Sequence, residues 1–200
     1  MFRSFPRVGW AMLFTFGALA TASGCQQQIS LDYAIHVDRL GSMDQPVKET
    51  EPFYNGEKFR LRFTSHEELY VYILNKGATG GFRVLFPQAT LNGGSSLIEP
   101  WKTVMVPAAP GSFQFDAQPG VERMVVCVSR RPVPALDAIY FGQERDSAKI
   151  EQSLQQLESD GKRAGHFHKT QYSDHTNIRL DTPDATAAMV SVINLQHAAK

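Results

Sequence analysis

His166-Phe167-His168 sets two imidazoles on the same side of an extended segment, and Asp174-His175 follows closely. Imidazole nitrogens and a carboxylate at this spacing could converge on Zn²⁺ or Cu²⁺. Against this, structural zinc sites use tighter, cysteine-containing pairs, and polar loops carry histidines with no ligand role. The expectation is therefore no metal and no cofactor, with a site of His166, His168, His175 and Asp174 as the alternative. His36, His66 and His197 stand alone in the sequence and read as surface residues. Phe82, Phe86, Trp101 and Tyr140 lie near turns, where they either fill the core or form a binding patch.

Nucleophile chemistry has little support. Cys127 lies inside the apolar run Met124-Val125-Val126-Cys127-Val128 and reads as a small buried hydrophobe. The chain holds no Gly-x-Ser-x-Gly elbow, no His-Glu-x-x-His, no phosphate-binding loop and no dinucleotide-binding glycine pattern. No spacing argument pairs two carboxylates in a cleft, as glycoside hydrolysis requires. The sequence thus reads as a non-enzyme.

The other cysteine carries a different chemistry. Arg3 and Arg7 precede an apolar run from Val8 to Ala20, followed by Ala22-Ser23-Gly24-Cys25. A basic flank, a short apolar run and small residues before a cut describe a signal peptide over residues 1–24. The run falls short of the roughly 20 apolar residues of a spanning helix. A cysteine directly after Ser-Gly resembles the lipobox of bacterial lipoproteins, although Ala22 stands where that motif prefers Leu. The resemblance implies that Cys25 is the first mature residue, acylated on its thiol and its freed amine, and holds the protein to a membrane. Gln26 after that cysteine implies transport to the outer membrane, facing the periplasm. Residues 25–28 form the tether. Gln26, Gln27 and Gln28 together span at most about 10 Å, which would keep the domain close to the bilayer.

The whole chain balances 20 basic against 20 acidic side chains. Loss of Arg3 and Arg7 with the leader leaves 18 against 20, a net charge of −2. With no basic run interleaved with aromatics, nucleic acid is not an expected partner.

The elements that must position these groups are mostly strands. Ile29, Leu31, Tyr33, Ile35 and Val37 alternate with polar or small residues, the period of a strand with one buried face. Phe59-Arg60-Leu61-Arg62-Phe63 repeats the pattern, whereas Leu69-Tyr70-Val71-Tyr72-Ile73-Leu74 reads as a strand buried on both faces. Phe82–Phe86, Thr103–Val106, Phe113–Phe115, Val121–Val128 and Ala188–Leu195 complete the strand set. Ile150, Leu154 and Leu157 mark one amphipathic helix over 146–160, capped by Asp146 or Ser147 and ended by Gly161. Residues 162–183 lack periodicity and read as a loop. The fold expected is mainly β, an antiparallel sandwich, immunoglobulin-like or related, forming one domain over 29–200 with its helix before the last strand.

Phe53-x-x-Gly56-Glu57, Leu69 to Asn75, Val84-Leu85-Phe86-Pro87, a Gly/Asn-rich turn, and Pro119-Gly120-x-Glu122 leading into Val125 to Ser129 together resemble the DUF4384 family. The likeness runs from about Ile29 to Arg131, with the terminal strand as an optional addition. It implies an extracytoplasmic sandwich-like module and supplies no catalytic residues. The function expected is that of a non-enzymatic, lipid-anchored envelope protein that binds or scaffolds a partner protein of an envelope or secretion complex. The alternative is a periplasmic metal-binding protein using His166, His168 and His175.

Overall fold

The computed structural model of the protein describes residues 27–39, 45–77 and 80–199. The signal peptide over 1–24, Cys25 and the start of the tether lie outside the described residues. In chain order the first strands are β1 (Gln27–Asp38), β2 (Gln45–Val47), β3 (Phe53–Tyr54), β4 (Lys58–Ser65), β5 (Leu69–Lys76) and β6 (Phe82–Phe86). There follow β7 (Leu97–Ile98), β8 (Thr103–Val106), β9 (Phe113–Gln114) and β10 (Gly120–Ser129). Two helices, α1 (Pro134–Tyr140) and α2 (Ser147–Ala164), precede β11 (His166–Gln171), β12 (Thr176–Thr182) and β13 (Ala188–Ala198).

The strands form a sandwich of two sheets. One runs β11-β12-β1-β4-β8, with β2 on β1 and β9 on β4; the other runs β3-β13-β10-β5-β6, with β7 on β5. Every pair is antiparallel except β13 with β3. Ile29, Leu31, Ile35, Leu61, Phe63 and Val106 from the seven-stranded sheet meet Val71, Phe86, Met124, Ile193 and Leu195 from the six-stranded one in the principal core.

The apolar runs in β5 and β10 follow from a third layer. Tyr72, Leu74, Val125 and Cys127 point away from the principal core into a second cluster with Leu136 and Ile139 of α1 and with Ile150 and Leu154 of α2. The Tyr72 hydroxyl donates to Asp137 at 2.9 Å and accepts from the Val133 amide at 3.1 Å, which ties the start of α1 to the sheet. Cys127 is fully buried here, and burial pushes its thiol up to about 12, so it is inert as a nucleophile at neutral pH.

α2 docks through a semi-buried ion cluster. Glu151 accepts from Arg123 at 2.6 Å and from Lys76 at 2.9 Å, linking the helix to β10 and β5. The Arg123 hydrogen bond, followed by that of Lys76, holds the Glu151 carboxyl below its ordinary value near 4.5. A carboxyl depressed on folding stabilises the fold above its unfolded pKa and loses that contribution as pH falls through its folded one. Glu151→Gln is therefore expected to cost roughly 1–2 kcal/mol at neutral pH, the worth of a partly exposed charged hydrogen bond. The difference from wild type should shrink as pH falls through the lowered carboxyl pKa and so be smaller at about pH 3 than at about pH 7. Urea denaturation at both pH values checks this; an equal deficit at both would show that packing, not charge, is what Glu151 supplies.

Three expectations are corrected. The helix over 146–160 extends to Ala164, and Gly161, taken as its terminator, is a buried interior residue. A second helix, α1, was not foreseen: it spans only seven residues, and Pro134 begins it. Residues 162–183 are not a loop. They hold the end of α2 and the β11–β12 hairpin, in which all six residues of β11 are exposed, so no apolar alternation marks the strand.

Candidate functional site

The two sheets present different outer faces. α1 and α2 cover much of that of the six-stranded sheet, whereas that of the seven-stranded sheet is polar and open around Asp32. Register explains what gathers there. Asp32 on β1 pairs with Thr64 on β4 on one side and with Asn177 on β12 on the other, so all three share the outer face. Asn177 donates to Asp32 Oδ1 at 2.7 Å and to the Ser30 hydroxyl at 3.0 Å.

Two imidazoles flank this carboxylate. His66, just past β4, places Nε2 at 2.7 Å from Asp32 Oδ2. His175, in the turn before β12, places Nδ1 at 2.8 Å from Asp174 Oδ1 and Nε2 at 4.0 Å from Asp32 Oδ1. A carboxylate only accepts, so each neutral ring donates through the bonded nitrogen and offers the other as an acceptor: Nδ1 on His66, Nε2 on His175. The His175 hydrogen bond holds the Asp174 carboxyl below its ordinary value. Arg62 reaches the Asp174 carbonyl at 3.5 Å and supplies the cationic wall.

Aromatic rings bracket the imidazoles. Trp101 lies tilted against His66 with centroids 4.7 Å apart, and Tyr172 stacks on His175 at 4.6 Å. Trp101 is 70% exposed, the most exposed of the large hydrophobic residues described. Its backbone is left-handed, φ 62°, and its amide donates to the Ser65 carbonyl at 2.7 Å. A non-glycine residue at positive φ costs about 1–2 kcal/mol, which a mostly solvent-exposed indole does little to offset by burial. The cleft bounded by Asp32, Arg62, His66, Trp101 and His175 has a volume of about 260 Å³.

The residues singled out from sequence fare unevenly. His166, His168 and His175 do not converge: His168 reaches Asp181 at 3.1 Å from the edge strand, while His175 turns to Asp174 and Asp32. Among the described residues no group of three or more His, Cys, Asp or Glu side chains is placed to hold a metal ion. The aromatic patch is also dispersed. Phe86 is fully buried against Phe63, Phe82 packs against the second core cluster under Lys76, and Tyr140 closes α1 beside Phe141; Trp101 alone of the four belongs to the Asp32 cleft. His66, read as an isolated surface residue, is half of the imidazole pair. His36 and His197, read the same way, are buried, and His197 packs against Phe115. Asp32, Arg62 and Tyr172 were not singled out at all, because the register that gathers them is not written in local spacing.

Residues 52–132 match the model of DUF4384, a domain of unknown function. No curated protein and no solved structure matches the chain. The DUF4384 segment spans β3 to β10 and so includes the central strands of both sheets. It begins later than the residue pattern implied, leaving β1 and the terminal strand outside. The cleft therefore straddles the boundary: Arg62, His66 and Trp101 come from the DUF4384 segment, Asp32, Asp174 and His175 from the flanking strands and turn.

Proposed function

We propose that this protein is a non-enzymatic, lipid-anchored envelope module that binds its partner through the open face of the seven-stranded sheet. The observation that carries the reading is the asymmetry of the sandwich. Helices cover the six-stranded sheet, while the other outer face holds a polar cleft bracketed by an exposed indole and an exposed phenol. Exposed rigid aromatics around a few convergent polar groups are the usual composition of a recognition site. Among the described residues no serine, threonine or cysteine is hydrogen-bonded to either imidazole ring, which supports binding over acyl-transfer chemistry.

The anchor half of the reading rests on residues 1–25. Among the described residues no helix is long and apolar enough to cross a membrane. Cys25 precedes the first residue of β1 by two positions, so a lipid there would hold the sandwich within about 10 Å of the bilayer. Cells expressing the full chain, fed a clickable palmitate analogue and fractionated, should yield labelled protein in the outer-membrane fraction. Cys25→Ser should lose both label and membrane attachment while staying folded. Unlabelled, soluble wild-type protein would overturn the anchoring.

A further inference from the structure

We propose that the Asp32 cleft binds a neutral saccharide, with the Trp101 indole as its stacking platform. This rests on the reading of the open sheet face as a binding surface and names the class of ligand it takes. The charges of the cleft narrow the choice. Asp32 and Asp174 oppose a phosphate or other polyanion, while Arg62 opposes a simple cation, and each imidazole contributes a further ring nitrogen. What fits both signs at once is an uncharged ligand rich in hydroxyl groups, each able to donate to one group and accept from the next.

The hydrogen-bonding groups suit adjacent hydroxyls. Asp32 uses Oδ2 for His66 and Oδ1 for Asn177, yet each carboxylate oxygen has a second lone pair. His66 Nδ1, His175 Nε2 and the Arg62 guanidinium add further hydrogen-bonding groups around it. The C–H face of a pyranose is apolar with partial positive charge and packs on the electron-rich face of an indole. Trp101 is suited to this because it is exposed yet fixed, by the hydrogen bond its backbone amide donates to the Ser65 carbonyl and by its contact with His66. Backbone strain of this kind clusters at active sites and ligand clamps. A cleft of about 260 Å³ lies just under the roughly 300–1,000 Å³ of sites that enclose drug-sized ligands, which suits one or two sugar rings.

The chain has two tryptophans, Trp10 in the leader and Trp101. In the full chain carrying Trp10→Phe, purified in a polyoxyethylene detergent that presents no sugar, emission therefore reports Trp101 alone. Titration with chitotriose, cellotriose and maltotriose is the test, with choline as a separate emission arm and a salt-extracted envelope protein fraction tested by pull-down on the immobilised full chain. At least one saccharide should give a saturable change in emission. By calorimetry, Asp32→Asn and Trp101→Ala should each weaken that saccharide about tenfold or more, and Trp101→Ala should do so with the thermal melt unchanged. Saccharide binding that survives both variants would place the sugar elsewhere and overturn the proposal. A response to choline or envelope protein with none to sugar would also overturn it and leave the binding surface standing. Silence in every arm would remove both.

Discussion

Phe86→Ala is expected to lower the unfolding free energy by about 3–5 kcal/mol, while Trp101→Ala should leave it within roughly 0.5 kcal/mol. Urea denaturation of the two variants beside wild type makes the comparison. The sequence offers both residues alike, as large aromatics next to turns, and the fold gives them opposite roles. Phe86 ends β6 with no exposed surface and sits edge-on to Phe63 at 5.1 Å, so truncation opens a cavity between the sheets. Trp101 spends its backbone in a left-handed conformation and returns little burial, so its loss removes a surface and no core. A large deficit for Trp101→Ala would mean that the indole is structural, and the binding-cleft reading would lose its anchor.

That pair also shows where sequence reasoning reaches. The β4 alternation is legible because that strand has one polar face, and the first half of β1 shares it through Gln28, Ser30 and Asp32, so period two survives in the residue types. The unbroken runs in β5 and β10 are legible as strands covered on both sides, which requires a third layer. The missing part of that layer is α1, too short to show a helical period. β12 hides for another reason: Thr176 and Thr182 are buried but polar, leaving Ile178 and Leu180 alone to carry its alternation. The cleft was least legible of all. Asp32 and Arg62 belong to β1 and β4, and His66, Trp101 and His175 to the loops beside β4, β8 and β12, four strands joined by pairing registers. A polar residue on an outer sheet face looks the same in sequence whether it borders a ligand or only water. His66 could have been promoted only by knowing that β4 ends beside Asp32.

Gly161→Ala is expected to destabilise the protein by about 1–3 kcal/mol, read as a lowered urea midpoint at unchanged slope. The sign is the point, because in an exposed helix interior the same change gains about 1 kcal/mol. Gly161 continues the buried stripe of Ile150 and Leu154, where α2 crosses β13. A Cβ built there would lie 2.4 Å from the Ala188 carbonyl oxygen, and the obstacle is backbone, which cannot rotate aside as a side chain would. The helix would have to lift, loosening the packing of Ile150 and Leu154 on the six-stranded sheet and the Glu151 contacts to Arg123 and Lys76. Because the Asp32 cleft is on the opposite sheet, this variant should lose stability with its Trp101 emission unchanged below the transition. A gain in stability would show that α2 is held away from β13 and that Gly161 is only a weak point in a helix.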